Sequence, residues 1–334
     1  MKAIFMTNNG CKAVHNAFDT ETRETLAHNL YFFPGIYNSE TLEERKEDLL
    51  QVNYIFSTWG MFCLNEEKIR EYLPNLKAVF YAAGSVQYFA RPYLKCGVRI
   101  FSAFAANAVP VAEYTTAQII LAGKGYYQAE RMYREKGISE AHRYIEMMPG
   151  NYGEKIGIIG AGMIGKMVIA SLKKYKYNIL VFDPFLSQEW ADKMGIKKCD
   201  LKTIFSHCLV ISNHLANNEQ TKGIMTYQHF NLMRPYATFI NTGRGAQLLE
   251  EDLVRALQEV STRTAVLDVT EPEPVKSGHP FYTLKNVFLT PHIAGSIGDE
   301  VGRMGQYMRE EYETLAAGDN NQYEVTEEML KTMA

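Results

Sequence analysis

Cysteine is scarce in this sequence and its spacing pairs nothing. The five residues stand at positions 11, 63, 96, 199 and 208, an odd count without a Cys-x-x-Cys. That argues against a disulfide framework and a zinc site, and no metal is expected. It fits reduced thiols in a cytoplasmic protein, each a small buried or half-buried side chain. Net charge is only −3, so there is no electrostatic case for nucleic acid or an anionic membrane as partner. No apolar run approaches the roughly 20 residues that a membrane-spanning helix needs. Low-complexity tracts and short-period repeats are also missing. The N-terminal stretch Lys2–Met6 reads as a first strand rather than a signal peptide. What remains is an ordinary globular composition over 334 residues, a length that suits two domains.

Glycine, by contrast, is placed with a purpose. Gly160-Ala161-Gly162-Met163-Ile164-Gly165 follows an apolar run, 156–159, and opens an apolar helical pattern over Met163–Leu172. A second apolar run ends at Asp183. This is the layout of a dinucleotide-binding βαβ unit. The first glycine permits a tight turn, the second lets backbone approach a pyrophosphate, and the third lets helix pack on strand. The helix N-terminus offers free N–H groups to phosphate. A carboxylate at Asp183 accepts bonds from ribose hydroxyls and repels a 2′-phosphate. Pro184 and Phe185 come next with no basic residue close in sequence, so NAD is expected over NADP.

Residues 1 to about 103 alternate short apolar runs with polar helical stretches, the pattern of a parallel α/β sheet. Strands are expected at Lys2–Met6, Tyr54–Ser57, Ala78–Tyr81 and 98–101, and helices at 41–51 and Glu66–Tyr72. A long helix is expected from residue 113 to about 134, with Pro110 just ahead of it, and residues 130–143 as a solvated connection. Further strands are expected at Lys155–Ile159, Asn178–Phe182, 209–212, 237–241, Thr264–Leu267 and Val287–Leu289. From about residue 296 a helix runs to Gly318, and a polar tail ends the chain.

Ligands of open α/β sheets bind beyond the carboxyl ends of the strands. At those ends the second block carries, strand by strand, the glycine loop, Asp183, His214, Asn241-Thr242-Gly243-Arg244-Gly245, Asp268 with Glu271 and Glu273, and Pro291-His292. Taken singly, an arginine between glycines is a surface residue, a glutamate among prolines a loop residue, and a histidine after proline a cap. Together on one rim they suit one reaction. Arg244 could pair with a carboxylate and polarise the adjacent carbonyl. His292 could give a proton to the carbonyl oxygen as hydride arrives. Glu273 could hold the other imidazole nitrogen and favour its charged form. In the first block, Trp59 and Met61 lie just past a strand and are expected to wall the substrate side chain.

These residues resemble those of the NAD-dependent D-isomer-specific 2-hydroxyacid dehydrogenases. The likeness runs from about Leu76 to His292. It rests on Phe239-Ile240-Asn241-Thr242-Gly243-Arg244-Gly245, on Asp268-Val269-Thr270-Glu271-Pro272-Glu273-Pro274, on Leu289-Thr290-Pro291-His292-Ile293-Ala294-Gly295, and on the segment 107–113. The resemblance implies an α/β fold of two doubly wound domains. A Rossmann coenzyme domain, 104–295, is inserted into a flavodoxin-like substrate domain, 1–103 and 296–334, and the active site lies in the cleft. It implies a homodimer, and catalysis by Arg244, Glu273 and His292. It implies NAD held by Gly160, Gly162, Met163, Ile164, Gly165, Asp183, His214, Thr242, Gly243 and Asp268. The substrate carboxylate would meet N–H groups of Gly84 and Ser85 as well as Arg244. Two family segments differ here. The loop Ala83-Gly84-Ser85-Val86-Gln87-Tyr88 lacks the usual aspartate, and the segment 206–216 lacks an aspartate and a proline. The activity implied is hydride transfer between NAD(H) and a small 2-hydroxy or 2-oxo acid of D configuration. The alternatives are a dehydrogenase of another small anion and an NAD-sensing, corepressor-like interaction protein. No effector domain follows the catalytic core in this sequence, which disfavours a phosphoglycerate dehydrogenase that carries one.

Overall fold

The computed structural model describes residues 1–331 and 333 and resolves into two compact units, Met1–Ala108 with Ser296–Ala334, and Val109–Gly295. Strands of the first unit are β1 (Lys2–Met6), β2 (Tyr31–Tyr37), β3 (Tyr54–Ser57), β4 (Ala78–Tyr81) and β5 (Arg99–Ser102). Those of the second are β6 (Lys155–Ile159), β7 (Asn178–Phe182), β8 (Lys197–Lys198), β9 (Val210–Asn213), β10 (Thr238–Asn241), β11 (Thr264–Leu267) and β12 (Val287–Leu289). A last short strand, β13 (Glu324–Val325), returns to the first unit.

In the first unit the order is β13-β5-β4-β3-β1-β2, with β13 antiparallel and the rest parallel. The parallel part is the flavodoxin-like order. Period-two alternation decides its two faces. Phe56, Phe80 and Phe101 fall in register and stack, with ring centroids 4.9 Å apart in each pair. The returning helix Glu300–Ala317 covers them with Met304, Met308 and Tyr312. The intervening Ile55, Val79 and Ile100 pack on the opposite face.

Several expected elements differ. Only Lys46–Leu49 of the helix expected at 41–51 is α-helical. Strand β2 goes beyond the expected set, because Pro34 and Gly35 interrupt it; it lies at the sheet edge, where a missing N–H is tolerated. The polar tail contributes β13, tied to β5 by a bidentate Arg99–Glu324 pair at 2.7 and 2.6 Å. Cys11 and Cys63 are exposed rather than buried.

The second sheet runs β12-β11-β10-β9-β6-β7-β8, all parallel. Starting from β8 this is the Rossmann order with one strand added, and it reverses between β6 and β9. Its inner strands are buried on both faces and read as continuous apolar runs. Pro110 does not precede a helix but lies inside one, Phe104–Gly123. A proline there removes one backbone bond, and the buried Ala112, Ile119 and Ala122 hold the helix nonetheless. Residues 130–143 are not a solvated connection. They belong to helices Tyr126–Lys136 and Ile138–Glu146, separated by Gly137 at φ +82°. Their charges hide a helical stripe that leaves Tyr126, Tyr133, Ile138 and Ile145 exposed. Among the described residues no helix is long and apolar enough to cross a membrane.

Candidate active site

The glycine loop joins β6 to the helix Met163–Leu172. Gly160 has φ +91°, and a Cβ there would lie 2.7 Å from the backbone of His214 and Leu215. At Gly165 a Cβ would lie 2.1 Å from the Gly160 carbonyl oxygen, so helix and strand meet as closely as backbone allows. Gly162 opens the helix with no side chain capping it and with nothing within 4 Å of where a Cβ would project. Free N–H groups of Met163, Ile164 and Gly165 beside open space fit a pyrophosphate.

Asp183 does more than await a ribose. Its Oδ2 accepts the Ala161 N–H at 2.6 Å, and Oδ1 accepts those of Phe185 and Leu186 at 2.7 and 3.1 Å. The carboxylate thus ties the glycine loop to the next turn, with lone-pair capacity left on Oδ2. Tertiary packing also brings the Lys198 ammonium onto the Leu186 carbonyl, a cation near this turn that sequence spacing did not reveal. His214 lies just past β9 and its N–H bonds to the Ile159 carbonyl at 2.6 Å. Its ring lies 2.9 Å from the Ser212 hydroxyl. Burial pushes its value down to about 3, so the imidazole beneath the glycine loop is neutral.

The arginine turn grows from β10 on a floor of buried amides. Asn213 and Asn241 end β9 and β10 in register, and Asn213 Nδ2 donates to Asn241 Oδ1 at 2.9 Å. Asn241 Oδ1 accepts the Gly243 N–H at 3.1 Å, and Asn241 Nδ2 donates to the Arg244 carbonyl at 3.1 Å. Gln247 accepts the Arg244 N–H at 3.1 Å and donates to the Leu215 carbonyl at 2.7 Å. Thr242 is buried with its hydroxyl 3.1 Å from that of Thr115. Gly245 must be glycine: a Cβ would lie 2.0 Å from the carbonyl carbon of Thr270. The arginine turn and the glutamate loop are therefore pressed together, backbone to backbone. Burial pushes the Arg244 guanidinium down from its ordinary value, while the charge of Glu273 opposes that. An arginine stays charged throughout. Sequence reading missed the parts played by Asn213 and Gln247. Its available signal was an asparagine closing each of two adjacent apolar strands, where polar residues are seldom fully buried.

Glu273 and His292 lie beyond the ends of β11 and β12. His292 Nδ1 donates to Glu273 Oε1 at 2.7 Å, which leaves Nε2 for another partner. Glu271 stands apart from this pair. His292 has φ +55°, a conformation costing a non-glycine residue about 1–3 kcal/mol. Asp268 holds it there. The Asp268 carbonyl accepts the His292 N–H at 3.1 Å, and its carboxylate accepts Thr290 Oγ1, Ile293 N–H and Ala294 N–H at 2.6, 2.8 and 2.9 Å. Bonds to a charged acceptor contribute roughly 1.5–3 kcal/mol each, enough to offset the strain. Asp268, expected beside NAD, is 3% exposed and builds the histidine turn.

In the first unit, Ser102 Oγ donates to the carbonyls of Ala83 and Gly84 at 3.0 and 2.6 Å. The N–H groups of Gly84 and Ser85 bond to nothing among the described residues and suit an anion. Met61 does not wall a pocket; it is 3% exposed and packed in the core with Ile69 and Tyr72, its thioether filling apolar space. Trp59 is 39% exposed at the carboxyl end of β3.

Residues 116–294 match the family model described as D-isomer specific 2-hydroxyacid dehydrogenase, NAD binding domain. The D-3-phosphoglycerate dehydrogenase of Archaeoglobus fulgidus is 31% identical over 66% of this chain, which spans only 42% of that relative's length. The glyoxylate reductase of Korarchaeum cryptofilum is 26% identical over 80% of this chain and 81% of its own. The apo D-mandelate dehydrogenase structure of Rhodotorula graminis shares the fold, with a TM-score of 0.80 at 18% identity and 98% of each chain covered. With a glycine loop fit for NAD on the rim that carries a paired histidine and glutamate, the chain belongs to the D-isomer specific 2-hydroxyacid dehydrogenase family.

Proposed function

We propose that the chain is an oxidoreductase moving a hydride between NAD(H) and a small 2-hydroxy or 2-oxo acid of D configuration. The observation that carries this reading is the 2.7 Å His292–Glu273 pair beside Arg244, on the rim that holds the glycine loop. Gly160, Gly162, Met163, Ile164 and Gly165 would hold the pyrophosphate and Asp183 the ribose, and His214, Thr242, Gly243 and Asp268 would shape the walls. The bound nicotinamide supplies or takes the hydride. Arg244 holds the substrate carboxylate and polarises the carbonyl. His292 Nε2 gives its proton to the carbonyl oxygen during reduction and removes it during oxidation. Glu273 on Nδ1 favours the charged imidazole that reduction needs. NAD is preferred because Asp183 repels a 2′-phosphate.

NADH oxidation with pyruvate, hydroxypyruvate, phenylpyruvate and glyoxylate, followed by chiral analysis of the product, tests the reading. Turnover to D-hydroxy acids supports it. NADH binding without turnover of any oxo acid would favour an NAD-sensing interaction protein instead. The partner is a second copy of the chain. Self-association needs an unpartnered apolar surface. Tyr126, Tyr133, Ile138 and Ile145 line such a groove, rimmed by the Glu130–Arg134 ion pair of the same helix. Sedimentation of wild type against Ile145→Glu tests it; an unaltered mass would refute this face as the interface.

A further inference from the structure

Glu273 lies on an irregular loop between β11 and β12, exposed to solvent, yet its carboxylate meets His292 at hydrogen-bonding distance. Something must hold that loop. The side chain at the start of the helix Glu250–Glu259 does so at its near end. Glu250 Oε1 accepts the N–H of Glu271 at 2.8 Å, two residues before Glu273. Its Oε2 faces His279 Nε2 at 3.6 Å, six residues beyond Glu273. The tautomer is fixed by a separate bond. His279 Nδ1 accepts the Phe281 N–H at 3.2 Å, so in the neutral ring the proton sits on Nε2, toward Glu250. Both side chains are largely buried, at 11% and 18% exposure, so water competes little for these contacts. Burial pushes the Glu250 carboxyl up from its ordinary value, and the Glu271 N–H acts the other way.

We infer that Glu250 is a positioning residue for Glu273: its carboxylate ties the near end of the glutamate loop, at the Glu271 N–H, to the helix that comes after the arginine turn, and His279 at the far end faces the same carboxylate. The inference rests on the proposed pairing of Glu273 with His292 in catalysis. Around that pair stand Arg244 from the turn after β10 and Asp268 beneath the histidine turn. Glu271 and His279 flank Glu250 itself. The helix Glu250–Glu259 is anchored by Leu253, Val254, Ala256 and Leu257, so it survives loss of the Glu250 side chain. Glu250→Ala therefore frees the loop without unmaking its support. Glu273 then samples positions away from Nδ1, and the charged imidazole loses its partner for part of the time.

The test tracks His292 in two ways. One is the NMR titration of its ring in the cofactor-free protein, and the other is the pH profile of kcat/KM for NADH-dependent reduction of hydroxypyruvate. Wild type is compared with Glu250→Ala, Glu250→Gln and Glu273→Gln. Glu250→Ala should move the ring titration and the basic limb to lower pH, in the direction of Glu273→Gln and by less than that variant does. Glu250→Gln keeps an acceptor for the Glu271 N–H and should move them less. NADH affinity, read by fluorescence, should be the same in all. If Glu273→Gln moves the titration and folded Glu250→Ala does not, the inference is overturned and the pairing stands. If Glu273→Gln itself moves nothing, the pairing fails and the inference falls with it. Should Glu250→Ala not fold, His279→Phe releases the far end of the loop, and an unmoved titration there overturns the inference equally.

Discussion

At the carboxyl ends of β10, β11 and β12 the second unit presents Arg244, Glu273 and His292, side chains held by a built support. At the carboxyl ends of β3 and β4 the first unit presents the backbone of Gly84 and Ser85 and one half-exposed indole, Trp59. The supports differ as much as the groups. Beneath the arginine turn lie the fully buried amides of Asn213, Asn241 and Gln247, and beneath the histidine lies the buried carboxylate of Asp268. Beneath the Gly84 loop two hydroxyls hold carbonyls, Ser102 those of Ala83 and Gly84 and Thr58 that of Ala82. On the proposed function, the transfer of proton and hydride would tolerate little displacement, which suits residues fixed by networks. Recognition of a carboxylate by N–H groups asks only for a turn of the right shape, which many sequences supply.

That contrast is sharpest under substitution. Loss of a side chain on the second rim should stop turnover, whereas loss on the first should redistribute it. His292→Ala is expected to lower kcat on the order of 10²–10⁴-fold by removing the proton donor. Arg244→Ala should raise KM and lower kcat together. Steady-state kinetics on folded variants checks both, and a His292→Ala enzyme within a few-fold of wild type would remove the histidine from the mechanism.

Cofactor choice is the next largest effect. Asp183→Ser should lower kcat/KM for NAD by about ten- to a hundredfold, the contribution of one bond to a charged acceptor. The same substitution loosens the Ala161 and Phe185 N–H groups, but that harms NAD and NADP alike. The ratio of the two efficiencies therefore isolates the carboxylate. It should fall toward one, helped by Lys198 nearby; an unchanged ratio would show that Asp183 does not set the preference.

Acid should weaken the second unit through His214. Its folded value of about 3 lies below the 6.5 of an exposed histidine. The unfolded chain therefore binds the extra proton, and stability present above pH 6.5 is lost as pH falls toward 3. Between pH 6.5 and 5 the loss from this group is about 2 kcal/mol. Urea unfolding at both pH values should show that much less acid sensitivity in His214→Leu, and an identical pH slope would mean the ring is charged in place.

The smallest effect belongs to the first rim. Trp59→Ala should alter the order of preference among pyruvate, hydroxypyruvate and phenylpyruvate by about tenfold or less while kcat on the best substrate stays close. An unchanged order would return Trp59 to a packing role, as the buried position of Met61 already does for that residue.

What the sequence determined by itself was the periodic and the punctuated. Apolar runs placed six strands of the second sheet to within a residue and missed the two-residue edge strand β8, because a strand buried on both faces has no polar alternative while a short edge strand has one. The glycine loop, Asp183, Arg244, Glu273 and His292 were legible because each comes after such a run at the end where ligands bind. The edge strand β2, the two-residue β13 and the helices of residues 126–146 escaped it. Edge strands admit proline, short strands carry no period, and a charged helix with an exposed apolar stripe reads as a solvated segment. Only the tertiary structure decided the pairwise facts. It showed Asn213 against Asn241 and Gly245 pressed on Thr270, and it bore out the expected pairing of Glu273 with His292. It brought Lys198 to the turn after Asp183 and set the Glu250 carboxylate on the Glu271 N–H. These are contacts between residues far apart in the chain, created when strands settle into register, and no local pattern of side chains encodes a distance of that kind.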